Sequence, residues 1–194
     1  MRPSLVLFLL FFSGCAALFG WDIHAPGILS SEFNHAIQPA PKRIGLYIEP
    51  SSRKIFSKDR GSRLSDPQTY HIGEAFEPML VEGFQQGFQE FVFLELEPTA
   101  ALLKQYGIPY VAAVRVKDFE NRKGKPLHRQ VVSVWSETYL YDDHLNLLVR
   151  FESRGTSDAR KVFAKKGGPE VNLNAAIENN VRAVVLFLQD WFKV

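Results

Sequence analysis

Residues able to do chemistry are few in this chain, and their spacing is mostly unhelpful. Cys15 is the only thiol in 194 residues. Asp142, Asp143 and His144 bring three metal-ligand types together, but adjacent residues rarely converge on one ion. With Asn146 nearby, the run reads as a turn, with a zinc or calcium site as the alternative. No Gly-x-Ser-x-Gly motif is present, and a cysteine nucleophile is excluded if Cys15 is acylated. His24 and His35 fall in a segment punctuated by proline, glycine and serine, and His128 lies beside a turn. His71 opens a helical pattern, where it reads as a surface residue. Glu74, Glu77 and Glu82 fall on the wet side of that helix and read as solvating charges. Lys165-Lys166-Gly167-Gly168 lacks the strand, helix and Ser/Thr of a phosphate-binding loop. The expectation is no catalytic residue, no metal and no cofactor.

Basic loops are the stronger candidates for binding. Arg53, Lys54, Lys58, Arg60 and Arg63 form one cluster. Arg122, Lys123, Lys125 and Arg129 form a second, and Arg160, Lys161, Lys165 and Lys166 a third. Each can face anionic lipid, a cell-wall polymer or an acidic partner, or can simply be solvated. Trp135, Tyr139 and Tyr141 share one parity of a strand. They read either as a ligand face or as core beneath a helix.

The surroundings of Cys15 explain an unpaired thiol. Arg2 precedes the apolar run Leu5–Phe12, which Ser13 and Gly14 close just before Cys15. A charged start, a short apolar run and small residues at the exit mark a secretory signal peptide. The run is too short to cross a bilayer, which takes about 20 apolar residues. Phe12-Ser13-Gly14-Cys15 resembles the bacterial lipobox, with Phe12 where leucine is usual. The resemblance implies cleavage before Cys15 and acylation of that residue, with several acyl chains giving stable anchoring. In that family the following residue helps choose the membrane, and Ala16 rather than aspartate implies the outer one. An uncleaved apolar anchor or a plain secreted protein is the alternative.

Removing residues 1–14 leaves enough chain for one domain and a tether. A hydrophobic content of 46%, with 16 phenylalanines, supplies a packed core. A net charge of +2 argues against a nucleic-acid binder. Residues 15–41 read as the lipidated terminus and tether, rich in Pro26, Gly27, Ser30, Ser31, Pro39 and Pro41. Extended, that length reaches on the order of 80 Å at ~3.3 Å per residue. Trp21, Ile23 and Phe33 leave open that part of it packs on the domain or meets the lipid surface.

Residues 42–194 read as a single α+β domain. Ile44, Leu46 and Ile48 mark a strand, and 52–70 a polar loop or small hairpin. Ile72, Phe76, Leu80, Phe84 and Phe88 recur every four residues, which predicts a helix over 71–91 that Pro78 kinks or delays. Gly83 and Gly87 would let another element approach it closely. A short strand over 92–96 and a short helix with Thr99 as N-cap follow. Strands near 109–119, 130–141 and 147–154 then form a meander with one wet face, and a helix over 172–192 closes the chain. The fold expected is a mostly antiparallel sheet of about four to five strands with two main helices on one face.

The element order resembles small outer-membrane lipoproteins of envelope machines: the penicillin-binding-protein activator, the lipopolysaccharide-assembly lipoprotein and the curli-secretion lipoprotein. That resemblance implies a non-enzymatic adaptor, regulator or assembly factor on the periplasmic side, with another envelope protein as partner. The alternative is a module that binds lipid, glycan or lipopolysaccharide through Arg53, Lys54, Lys58, Arg60 and Arg63. An open polar cleft with convergent carboxylates or histidines would revive an enzymatic reading.

Overall fold

The structure, a computed structural model, describes residues 20–59, 67–124, 129–157, 160–161 and 168–193. Cys15, Arg60 and Arg63 lie outside them. The large sheet takes β2 (Ala40–Ile48), β5 (Phe88–Leu94), β6 (Tyr110–Gly124), β7 (Arg129–Asp142) and β8 (Leu147–Thr156), in the order β5-β2-β6-β7-β8. A two-residue β9 (Arg160–Lys161) adds to β7 beyond the end of β8. Antiparallel pairing joins β6, β7 and β8, as the meander pattern implies. β2 is parallel to both its neighbours. Its residues Ile44–Ile48 are all buried, which suits a strand covered on both faces. A second, three-stranded sheet in the order β1-β4-β3 joins β1 (Trp21–Ile23), β3 (Phe56–Asp59) and β4 (Gln68–His71). The hairpin expected between 52 and 70 is therefore present and belongs to this small sheet.

Two long helices cover one face of the large sheet, so the α+β expectation holds. α3 (Ile72–Gly87) buries Ile72, Phe76, Leu80 and Phe84, and α5 (Pro169–Trp191) buries Leu173, Ile177, Val181, Val184 and Leu188. They face Ile44, Leu46 and Ile48 of β2 and Ala112 and Val114 of β6. The helices meet closely at two glycines. A Cβ on Gly83 would lie 2.6 Å from Val181 and one on Gly87 2.5 Å from Val185, so only glycine permits this crossing. The predicted helix over 71–91 is corrected to Ile72–Gly87. Phe88 turns extended (φ −137°, ψ 142°), and β5 pairs with β2 from there. Phe88 stays in the core either way, so its place in the four-residue repeat hid the boundary.

Three short helices complete the described residues: α1 (Ser31–Ala36), α2 (Pro50–Arg53) and α4 (Ala100–Gln105). Thr99 accepts the Leu102 amide at 3.2 Å, the cap expected of it. α4 and the Ile108 turn cover the opposite face of the sheet near β2, through Leu103, Ile108, Tyr47, Leu94 and Val111.

The tether expectation is corrected over residues 20–41. Ile23, Leu29, Phe33 and Ile37 are buried in the main core. One face of α5 holds this segment by polar contacts. Asn174 Oδ1 accepts the Gly27 amide at 2.9 Å, Ser30 Oγ donates to Glu178 Oε1 at 2.6 Å, and Gln189 donates to the Gln38 carbonyl at 2.9 Å. Between them the Arg182 guanidinium lies over the Phe33 ring. Buried apolar side chains and satisfied backbone groups together make this part of the domain.

α5 is joined to the meander by buried amides, Asn180 above all. Asn180 accepts from Ser136 Oγ at 2.7 Å and donates to the Val134 and Ser153 carbonyls at 3.1 and 3.0 Å. Beside it Gly155 lets the helix backbone touch β8, since a Cβ there would sit 2.0 Å from the Ala176 carbonyl oxygen.

Candidate functional site

On the sheet face turned away from α3 and α5, α4 packs around β2 and Val111 at the start of β6, and Trp135, Glu137 and Tyr139 belong to no core cluster among the described residues. Strand alternation places Trp135, Glu137, Tyr139 and Tyr141 of β7 on that face. Cross-strand pairing sets Arg115 and Arg150 on either side: Arg115 is opposite Glu137, and Arg150 opposite Tyr139. Trp135 and the two tyrosines are half-buried and not core beneath a helix.

Glu137 is the centre of this face. Its side chain is fully covered, and Arg115, Arg150 and Tyr139 meet its carboxylate. Arg115 Nε donates to Oε2 at 2.8 Å, and the Arg150 guanidinium donates to Oε1. Each carboxylate oxygen therefore has its own arginine. The Tyr139 hydroxyl bond is the largest influence on the acid. Burial opposes it, and with the two arginine contacts added, the Glu137 carboxyl is held at about 2. The same bond pushes the Tyr139 phenol up. Both guanidiniums lie over the Tyr139 ring, at 5.7 and 5.5 Å. Further along, Lys117 pairs with Glu152, and Arg154 lies 4.8 Å over Trp135. The result is a strip of paired charges and aromatic rings.

At one end of the strip a cleft of about 590 Å³ opens between Tyr139 and Tyr141 of β7, Tyr47 and Glu49 at the end of β2, and the Glu97-Pro98 turn. The two β7 rings are parallel, 6.3 Å apart. Burial first, then the Glu97 and Glu49 carboxylates, pushes the Tyr47 phenol up. Neither carboxylate has an ion-pair partner among the described residues. The cleft thus offers flat rings, phenol hydroxyls and two acceptors.

A second cluster brings His24, His71 and Glu74 together, with their ligating atoms within 4.8 Å of one another. Pairing of β1 with β4 sets Ile23 beside Tyr70, and one step further the two imidazoles stack at 4.2 Å. Glu74 Oε2 meets His24 Nδ1 at 2.7 Å, and Oε1 lies 3.3 Å from His71 Nδ1. The His24 contact leads in lowering the Glu74 carboxyl below its usual range. His71 and Glu74 are three residues apart at the helix start, but His24 lies outside any local spacing, so the sequence signal was half present at best.

The other residues singled out from sequence are placed less favourably. Asp142 accepts from the His144 and Asn146 amides and from Asn146 Nδ2, at 2.9, 2.8 and 2.9 Å. It is a working turn residue, and the ligand atoms of Asp142, Asp143 and His144 also lie within 4.8 Å of one another. Arg53 is half-buried, pairs with Glu77 at 3.5 Å and lies over Phe93. Lys54 and Lys58 are exposed, and Lys58 lies over Phe56. The described part of the basic loop is therefore not one converging cationic patch.

No protein-family model matches the chain, and no curated protein matches its sequence. Among solved structures, the Chlamydia trachomatis protein CT253 aligns over 78% of this chain and 98% of its own, at 7% identity and a TM-score of 0.48. PelC, a dodecamer from Paraburkholderia phytofirmans, aligns over 76% and 92%, at 13% identity and a TM-score of 0.41. The lipoprotein GNA1162 from Neisseria meningitidis aligns over 77% and 99%, at 10% identity and a TM-score of 0.37. Likeness at this level says nothing about what this chain does.

Proposed function

We propose that this chain is a lipid-anchored lipoprotein of the bacterial outer membrane, on the periplasmic side, that works without catalysis through protein contacts. The lipid sits on Cys15, and the motif Phe12-Ser13-Gly14-Cys15 supports it. The observation that carries the contact role is the uncovered strip around Glu137. Its charges are already paired and its rings held, so a partner can dock on it with little ordering cost. Arginine and tyrosine are also the residues that most often carry interface energy. A carboxylate pair acting as acid and base needs one member enclosed enough to stay protonated. Glu97 is exposed and Glu49 only half-buried, so the cleft is read as a binding surface.

Two measurements test this. Metabolic palmitate labelling should mark the protein and be abolished, with release from membranes, by Cys15→Ser; persistent label would refute the anchor. Photo-crosslinkers at Trp135, Tyr139 and Arg150 should capture one envelope protein in intact cells, and Arg150→Glu should abolish that capture. Equal capture from Gln85 or Asp190 on the helical side would refute the docking face.

The cleft favours a second reading, glycan binding. Parallel tyrosine rings suit the face of a sugar, and phenols and carboxylates suit its hydroxyls. Glu49 and Glu97 would repel an anionic lipopolysaccharide core. Neutral glycan binding lost in Tyr139→Ala and Tyr141→Ala would support this reading. Binding lost instead on neutralising Arg53, Lys54, Lys58, Arg60 and Arg63 would return the role to the basic loop.

A further inference from the structure

We propose that His24, His71 and Glu74 form a binding site for a first-row divalent transition ion, zinc above all, that pins the amino-terminal segment to the start of α3. Two imidazole nitrogens and a carboxylate oxygen are the donor set that zinc takes when it keeps a fourth position open. Metal–ligand bonds of about 2.0–2.2 Å in a tetrahedron put the ligand atoms roughly 3.4 Å apart. The Glu74 oxygens stand 2.7 and 3.3 Å from the two Nδ1 atoms and all three donors lie within 4.8 Å of one another, so an ion is reached when the imidazole stack opens and the two rings turn toward it.

Two further observations point the same way. The other nitrogen of His71, Nε2, lies 3.3 Å from Asp22 Oδ1. Ligating histidines characteristically donate their remaining N–H to a carboxylate, which orients the ring and raises its basicity. The backbone also fixes the ligands. His24 and His71 follow directly from parallel strands in register, and Glu74 stands in the first turn of a sixteen-residue helix. Without an ion, both Nδ1 atoms of the stacked imidazoles face the one Glu74 carboxylate. An ion gives each ring its own bond. It also ties the amino-terminal segment to the junction of β4 and α3, adding to the β1–β4 ladder beneath.

The test is a zinc titration of the full, untagged chain in detergent, followed by calorimetry and by the visible spectrum of the cobalt-substituted protein. One ion per chain should bind, with the cobalt bands of a four-coordinate site. His24→Ala and His71→Ala should each weaken binding by at least about 100-fold, and Asp22→Asn by about 10–100-fold. His144→Ala should leave it unchanged. Circular dichroism of each variant without metal controls for folding, and His24 is exposed enough that its loss leaves the core intact. No saturable binding below about 1 mM, binding retained in both histidine variants, or binding lost in His144→Ala would each overturn the site.

Discussion

A carboxylate whose two oxygens are claimed by two different arginines stays charged far into acid, and this has a measurable sign. The Glu137 carboxyl lies at about 2 in the fold against an ordinary 4.5. Its stabilisation is therefore complete above about pH 4.5 and is lost as pH falls toward 2. Glu137→Gln should lower the melting temperature at pH 7 and flatten the acid limb between those values; an unchanged acid limb would contradict the network. Tyr70 gives the opposite sign. Burial pushes its phenol up to about 12, while its hydroxyl donates to Gln68 and accepts from Asn121 and Gln130. Its stabilisation holds below pH 10 and is lost as pH rises from 10 to 12. Tyr70→Phe should be less stable at neutral pH, and its unfolding should depend less on pH in that alkaline window. The parity of Trp135, Tyr139 and Tyr141 was legible from β7 alone. Glu137 was not, because a lone glutamate in a strand announces no partner until β6 and β8 deliver Arg115 and Arg150.

Helices and strands here are held by close approach as much as by apolar area. Gly155 shows it best, because backbone atoms of α5 and not flexible side-chain ends occupy the space a methyl would need. Gly155→Ala should destabilise by about 1–3 kcal/mol or more, seen as a lower urea midpoint with little change in slope. A neutral result would mean that α5 can lift from β8 without loss. The four-residue repeat of α3, the Thr99 cap and the alternation of β8 made the helices and the meander readable. Parallel pairing of β2 was not, since Ile44, Leu46 and Ile48 show the same alternation in either direction. The end of α3 was masked because Phe88 serves the core as a strand residue just as it would as a helical one.

Over the whole molecule, the largest departure from expectation is the amino-terminal segment. Proline, glycine and serine spacing suggested a leash. The partners of that segment, Asn174, Glu178 and Gln189, lie far along the chain on α5 and give it no local signal. Phe33, fully buried against Gly83 and beneath Arg182, is the decisive side chain. Phe33→Ala should cost about 3–5 kcal/mol, measured by chemical denaturation. A cost near zero would restore the leash. The packing of this segment also sets a working distance. Only five residue steps separate Cys15 from Gly20, where the described fold begins. At full extension that is roughly 18 Å. Lipid on Cys15, as proposed, would hold the domain within that reach of the bilayer, with the exposed Trp21 near the anchored end, and a partner would have to meet it at the membrane surface.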